Sequence, residues 1–123
     1  MNTRKLGNFG EEIAERFLTS QNYQIVKKNY HARFGELDLI AIDRQRGQLV
    51  FVEVKTRKTE KFGPPAQILS RIKRHRLLKA ALKFVSQSSR VLPRTWRFDL
   101  IGIKLDANDK VLDIEHLKNI FDG

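Results

Sequence analysis

The sequence predicts an α/β protein in which a mixed β-sheet is flanked by two helices. In two segments, 8–20 and 70–86, apolar residues recur every three to four positions, the period of amphipathic helices. Five short runs rich in β-branched and aromatic residues predict strands. The run 49–56 is apolar on both faces until Glu53, which is typical of a central strand covered on both sides. The predicted order is αβββαββ.

The first predicted helix has a candidate N-terminal signal and a regular apolar stripe. Asn8 followed three residues later by Glu11 resembles a capping box. Phe9, Ile13 and Phe17 then recur every fourth residue. These features predict that the helix begins near residue 8.

Three predicted strands precede the second helix in the sequence, and two follow it. Their bounds are 23–30, 36–43, 49–56, 96–103 and 111–114. Arg44-Gln45-Arg46-Gly47 is the expected hairpin turn between the second and third strands. We expect that hairpin and the strand after the second helix to form the centre of the sheet.

The second predicted helix combines an apolar stripe with a strongly basic outer face. It follows a loop at 58–65 that contains Gly63-Pro64-Pro65, and Ser70 is its candidate cap. The predicted stripe consists of Leu78, Ala81, Leu82 and Val85. The basic face contains Arg71, Lys73, Arg74, Arg76, Lys79 and Lys83. Such a face can follow a phosphate backbone or be only solvated.

Composition favours a polyanionic partner. Twenty-four Lys and Arg residues against fourteen Asp and Glu give a net charge of +10 over 123 residues, a length that predicts one domain, 1–123. Nucleic acid is the best match, and the alternative is that the charge serves only solubility. No apolar run approaches the roughly 20 residues of a membrane span. With no cysteine and no apolar N-terminal run, we expect a cytoplasmic location and no membrane partner.

Charged residues interrupt the second and third predicted strands. Period-two alternation puts Glu36, Asp38 and Ile40 on one face of the second strand, opposite Leu37, Leu39 and Ala41. In the third strand, Glu53 and Lys55 share a face with Phe51. Buried charges are costly unless they are paired or bind a metal, so these residues require an explanation.

One explanation is a metal site. If the two strands are hairpin neighbours, Asp38 and Glu53 converge as oxygen ligands of one Mg²⁺, which suits carboxylates and a substrate phosphate. Lys55 then lies beside an attacking water, an arrangement suited to phosphodiester hydrolysis. The competing explanation is a surface salt bridge between Lys55 and Asp38 or Glu36 across the hairpin.

Ordered motifs along the chain carry a family resemblance. Gly35-Glu36-Leu37-Asp38-Leu39-Ile40 followed by Phe51-Val52-Glu53-Val54-Lys55 resembles the D...ExK signature of the PD-(D/E)XK nuclease superfamily. Nearly the whole chain resembles the bacterial YraN-like family of predicted endonucleases. The further motifs are Gly7 with Gly10-Glu11, Thr56-Arg57, Phe62-Gly63-Pro64, Lys73 to Arg76, Arg97-Phe98-Asp99 and Asn119-Ile120-Phe121. The chain departs from the family at Asn22, where glycine is usual, and at Ile120, where alanine is common.

The resemblance implies a restriction-endonuclease-like fold and a catalytic set. Asp38 and Glu53 correspond to metal ligands for Mg²⁺, with Mn²⁺ as a substitute, and Lys55 corresponds to the catalytic lysine. Glu11 is a further candidate ligand, but at the third helical position it can instead close the capping box. Glu36 is a secondary candidate, as a water-mediated ligand or only a charge at the strand end.

The candidate nucleic-acid contacts lie after the third strand and on the second helix. They are Arg57, Lys58, Gln67, Arg71, Lys73, Arg74 and Arg76. His31, His75 and His116 lack metal-ligand spacing, and Trp96 and most Phe residues are expected in the core.

Three functional hypotheses remain open. The first is a metal-dependent DNA endonuclease, with DNA preferred to RNA and a homodimer compatible with the sequence. The second is a nuclease-fold module that binds nucleic acid without cutting it. The third is a basic scaffold for an acidic protein.

Overall fold

The computed structural model describes residues 2–58 and 71–121. Its elements follow one another in the predicted order αβββαββ. They are α1 (Thr3–Ser20), β1 (Tyr23–Ala32), β2 (Gly35–Asp43), β3 (Gln48–Arg57), α2 (Arg71–Gln87), β4 (Trp96–Leu105) and β5 (Val111–Leu117). The predicted loop at Gly63-Pro64-Pro65 and the predicted cap Ser70 lie outside the described residues.

The strands form one mixed sheet in the order β1-β2-β3-β4-β5. β3 and β4 are parallel, and every other neighbouring pair is antiparallel. The β2–β3 turn contains Gly47 in the left-handed region, while Asp43 Oδ1 accepts hydrogen bonds from the amides of Gln45 and Arg46. The fold class and the central position of β2, β3 and β4 are therefore confirmed.

Each helix covers one face of the sheet. Ala14 and Leu18 of α1 join a buried cluster, the α1-side cluster, that includes Val50 and Val52 of β3. Leu77 and two alanines of α2 join a second cluster, the α2-side cluster, on the other side of β3 around Phe51. A central strand that is covered on both faces is apolar at successive positions, which explains the apolar run in β3.

Helix α1 begins earlier than predicted. Its N-cap is Asn2, whose side chain accepts a hydrogen bond of 2.8 Å from the amide of Lys5. Asn8 and Glu11 lie inside the helix, so the predicted capping box is wrong. The physical reason is that Leu6 already packs against the α1-side cluster, so the apolar stripe of the helix starts before residue 8.

The apolar stripe predicted for α2 is also partly wrong. Three of its four members, Leu78, Leu82 and Val85, are exposed, with 40%, 51% and 37% of their surface accessible. The helix instead buries Leu77, Ala80 and Ala81. The two alanines permit a close approach to the sheet, and they determine which side of the helix faces it. None of the helices in the described part of the chain is long and apolar enough to cross a membrane.

A buried polar network lies near the start of β3 and β4. Arg97 donates hydrogen bonds to Asp43, Asp99, Gln48 and Tyr23. Asp99 also contacts His116 at 2.8 Å and accepts from the amide of Asn119. The network links β1, β2, β3, β4 and β5, with its charges paired as buried charges require.

Candidate metal and nucleic-acid site

The pairing of β1 with β2 is irregular at the first part of the site. Lys28 pairs with Leu39 and Tyr30 with Leu37, but the register passes over Asn29 and Asp38 between them. Asn29 has a φ of 51°, in the left-handed region. The β1–β2 pairing is therefore interrupted at Asp38.

β2 also separates from β3 at this point. Their pairing ends at Leu39 and Val52, so Asp38 and Glu53 lie just beyond the last paired residues. There Asp38 Oδ2 accepts a hydrogen bond of 2.8 Å from the amide of Val54. The Asp38 carboxylate takes the place of a ladder partner, and that hydrogen bond orients it.

The break in pairing corrects the predicted alternation of faces. Leu37 and Ile40 were expected on opposite faces of β2, but both pack in the α2-side cluster. Leu39 and Ala41 pack in the α1-side cluster, as their shared spacing predicts. Strict period two holds only in a regular strand, and β2 is irregular at Asp38.

Glu53 is the most buried acid of the site. Its side chain is 5% exposed, and its Oε1 lies 3.6 Å from Nζ of Lys55 and 3.2 Å from Nζ of Lys73. Lys55 follows two residues later on β3, whereas Lys73 belongs to α2. The alternative of a salt bridge between Lys55 and Asp38 or Glu36 is therefore wrong, because Lys55 pairs with Glu53.

Glu11 approaches the site from α1. Gly10 permits this approach, since any Cβ at that position would collide with the side chain of Thr56 on β3. Glu11 lines a cavity of about 570 Å³ together with Glu36 and Asp38. The three carboxylates therefore come from two elements that are distant in the sequence.

The electrostatics of the carboxylates favour a cation. Burial raises the pKa of Asp38 well above its ordinary value, and the negative charge of Glu53 raises it further, against the opposing hydrogen bond from Val54. The pKa of Glu11 is also raised, first by burial and then by the charges of Glu36 and Glu53. Mutual repulsion among partly desolvated carboxylates is the condition that a bound cation relieves.

The donor atoms fit a hard divalent cation. Glu11 Oε1 and Glu53 Oε2 are buried and, among residues 2–58 and 71–121, have no hydrogen-bond partner. Buried oxygens without partners are rare, and they are the donors that Mg²⁺ prefers. Within those same residues no three acidic or histidine side chains form a complete metal-binding group. The chain thus offers partial carboxylate coordination, as is usual for Mg²⁺, which retains waters and binds substrate phosphate.

Glu36 is peripheral to these acids. Its carboxylate lies 3.2 Å from Nδ1 of His31, and the side chain is 57% exposed. An exposed ion pair of this kind contributes little to stability. Glu36 is nevertheless at the rim of the cavity that Glu11 and Asp38 line.

Some of the predicted nucleic-acid contacts are exposed, and others are paired with acids or partly buried. Arg71, Arg74 and Arg76 are exposed on α2, while Lys73 is half-buried against Glu53. Lys58 lies 2.6 Å from Asp109. One guanidinium nitrogen of Arg57, Nη1, is buried without a hydrogen-bond partner in the described part of the chain. Gln67 lies outside the described residues.

Two features of the site were missed from the sequence. The contact of Lys73 with Glu53 depends on how α2 is rotated about its own axis. The predicted stripe of Leu78 and Leu82 would turn a different side of the helix towards the sheet. Phe34 was not singled out from the phenylalanines, most of which were expected in the core, and it is 56% exposed. A signal was present, because Phe34 stands beside Arg33 and Gly35 in a short connection between two strands, where a core residue is unusual.

Comparison with known proteins gives one family. The model of the uncharacterised protein family UPF0102 matches residues 10–103. A UPF0102 protein of Caldicellulosiruptor saccharolyticus is 40% identical over 98% of this chain and 100% of its own length. A UPF0102 protein of Trichlorobacter lovleyi is 39% identical over 95% of this chain and 90% of its own length. Among solved structures, Pyrococcus furiosus SfsA in complex with Ca²⁺ matches with a TM-score of 0.40 and 15% identity, over 95% of this chain and 64% of that chain.

Proposed function

The chain belongs to the uncharacterised protein family UPF0102, and from its carboxylate–lysine site we propose that it is a metal-dependent endonuclease acting on DNA. The specific form of the proposal is a Mg²⁺-dependent endodeoxyribonuclease of the PD-(D/E)XK type that Mn²⁺ also supports. The observation that carries it is Glu53, a buried carboxylate with one oxygen shared by two lysines and the other without a partner among the described residues. The proposed location of the protein is the cytoplasm. The substrates to test first are branched, damaged or single-stranded DNA.

The acids have separate tasks in this proposal. Asp38, oriented by the amide of Val54, and Glu53 are the proposed metal ligands. Glu11 is a further candidate, because its buried Oε1 has no hydrogen-bond partner among the described residues. When bound, Mg²⁺ would stabilise negative charge on the phosphoryl oxygens and make an attacking water more acidic. The pKa of Asp38 is raised first by burial and then by the charge of Glu53, so its ionised form is unfavourable when no cation is bound.

Lys55 is the proposed catalytic lysine. Its ammonium group lies 3.6 Å from Glu53, and its side chain is 33% exposed, so it is held at the acids and still reaches solvent. In that position it can orient the attacking water by hydrogen bonding and counter negative charge in the transition state. Lys73 neutralises Glu53 from the α2 side.

Phosphate binding is assigned to the basic residues around the acids. Arg71, Arg74 and Arg76 are exposed on α2 and provide charge-assisted contacts to a phosphate backbone. Arg57 continues β3 two residues beyond Lys55, so it is a candidate for phosphates near the cleaved bond. A net charge of +10 favours association with DNA and makes that association sensitive to salt.

A cleavage panel tests the proposal. Labelled single-stranded, duplex, flap and four-way DNA, together with RNA, are incubated with Mg²⁺, Mn²⁺ or chelator. Asp38→Asn is compared with wild type because asparagine retains an oxygen that can accept the Val54 amide. Asp113→Asn, at an exposed position on β5, is the matched control. We expect metal-dependent cleavage that is lost in Asp38→Asn and kept in Asp113→Asn.

The same panel separates the other hypotheses. Tight, salt-sensitive binding with no cleavage of any substrate would favour a binding module on a nuclease fold. Weak nucleic-acid binding at low salt would favour a basic scaffold for an acidic protein. Cleavage of duplex DNA on both strands at once would add support for a homodimer, since one site cuts one strand.

A further inference from the structure

Phe34 is an exposed aromatic residue that the folded core does not use. It lies between β1 and β2, in the connection formed with Arg33. It belongs to neither buried cluster, and 56% of its surface is accessible. Exposed aromatic rings beside charged groups are a common feature of binding surfaces.

The position of Phe34 is held by packing beside it. Gly35 lies against the backbone of α2, where an added Cβ would be 2.5 Å from the carbonyl oxygen of Arg76. The guanidinium carbon of Arg33 lies 5.1 Å from the centre of the Phe34 ring, and Nζ of Lys79 lies 4.8 Å from it. The end of the hairpin is therefore fixed against α2, with its ring between two cations.

A basic groove of about 810 Å³ runs from this ring along the first half of α2. Its lining includes the aromatic ring and five basic side chains: Phe34, Arg33, Arg71, Lys73, Arg76 and Lys79. His31 and Glu36 line both this groove and the cavity of Glu11 and Asp38. A polymer lying in the groove would thus lead directly to the proposed catalytic acids.

We infer that this groove binds an unpaired nucleotide whose base stacks on Phe34, so that single-stranded nucleic acid next to the acidic site is the preferred substrate. The inference rests on the proposed function and names its substrate class. Base stacking on an aromatic ring tolerates any base, and the surrounding arginines and lysines match the phosphate backbone. A base in a continuous duplex has both faces stacked on its neighbours and cannot offer a face to Phe34.

The two cations at the ring do not oppose this arrangement. Exposed cation–π contacts are weaker than base stacking, so an incoming base can displace one cation from the ring. Arg33 or Lys79, once displaced, would remain close to the phosphates on either side of that base. The contacts present in the free protein therefore hold positive charge beside the ring, where it is available to the bound strand.

Binding without metal tests the inference independently of cleavage. Dissociation constants are measured in chelator for a 12-nucleotide single strand, for the same strand with one abasic position, and for a duplex of equal length. We expect Phe34→Ala to weaken single-strand binding by about 5- to 150-fold, the range that corresponds to one stacked base. Phe34→Tyr should retain wild-type affinity because its ring still stacks, and duplex binding should change less than about twofold for both variants.

The abasic strand identifies the contact. An abasic position placed at the ring should weaken binding by wild type but not by Phe34→Ala, because either change removes the same interaction. Leu112→Ala is the control, since Leu112 is 59% exposed on β5 and lies outside the groove. Single-strand affinity unchanged in Phe34→Ala, or an equal loss for single strand and duplex, would overturn the inference. Metal-dependent cleavage can be present or absent in either case, so the two proposals can fail separately.

Discussion

The ammonium group of Lys73 lies 3.2 Å from the Oε1 atom of Glu53, which joins α2 to the middle of β3. Removing one partner leaves a buried charge less well compensated. For Lys73→Met, which preserves helix propensity, we expect a loss of about 1–2 kcal/mol in the free energy of unfolding. This is below the cost for a fully buried pair, because Lys73 is partly exposed and Lys55 still contacts Glu53. Urea titration measures the loss.

Lys83→Met is the matched control for that measurement. Lys83 is an exposed lysine on the same helix, so its replacement should change stability by less than about 0.5 kcal/mol. If Lys73→Met and Lys83→Met unfold at the same urea concentration, the contact between Lys73 and Glu53 does not stabilise the protein.

Replacing Glu11 by glutamine should separate stability from metal binding. The pKa of Glu11 is raised by burial and by Glu36 and Glu53, so its ionised form is less favourable in the folded state than in the unfolded state. That penalty is absent below the ordinary pKa of a glutamate and grows as pH rises through the folded-state pKa. At neutral pH without metal we expect Glu11→Gln to be more stable than wild type, by about 0.5–1 kcal/mol. Mn²⁺ binding, measured by titration calorimetry, should weaken.

Glu12→Gln controls for the helix itself. Glu12 is adjacent in sequence but exposed, so this variant should match wild type in both stability and Mn²⁺ affinity. A Glu11→Gln protein that is less stable than wild type and binds Mn²⁺ equally well would argue for a purely structural role of Glu11.

Local patterns in the sequence were sufficient to predict the central part of the fold. The apolar run that ends in Glu53 and Lys55 specifies a covered strand, because alternation and apolar content act within one element. The turn before β3 was predicted for a similar reason, since Gly47 and the Asp43 side chain satisfy the backbone within a few residues.

The remaining features depend on contacts between distant elements. The break in pairing at Asp38 lies opposite the left-handed Asn29 on β1, which no spacing within β2 reveals. The rotation of α2 was ambiguous, because Leu77 with two alanines and Leu78 with Leu82 are both plausible apolar stripes. Packing against the sheet selects the first, and only then does Lys73 reach Glu53.

The Arg97 network should control unfolding in acid. Burial alone would raise the pKa of Asp99, but hydrogen bonds from His116, Arg97 and the Asn119 amide hold it below the ordinary value of 3.8. Because the folded-state pKa is depressed, the stabilisation is present above pH 3.8 and is lost as pH falls through the folded-state pKa. Asp99→Asn should lower stability at pH 7 by about 3 kcal/mol, since it breaks a buried pair.

The pH dependence distinguishes this network from other acids. Asp99→Asn should lose less stability than wild type between pH 4 and pH 2, because the titrating group is absent. Asp113→Asn, an exposed carboxylate on β5, should follow the wild-type curve. Parallel curves for wild type and Asp99→Asn, from chemical unfolding at each pH, would show that Asp99 does not supply the acid sensitivity.

Replacing Lys55 by methionine should affect the chemical step more than binding. Lys55 is 3.6 Å from Glu53 and partly exposed, so its loss leaves Lys73 to compensate the carboxylate. Removing one donor that stabilises transition-state charge costs on the order of 10²–10³ in rate. We therefore expect single-turnover cleavage to fall by about that factor, while the dissociation constant for DNA in chelator changes less than threefold, as for loss of about one phosphate contact. Lys28→Met, which removes an exposed lysine paired with Glu15, is the control and should cleave normally. A Lys55→Met protein that binds DNA much more weakly but cleaves bound DNA at the wild-type rate would place Lys55 in substrate binding instead.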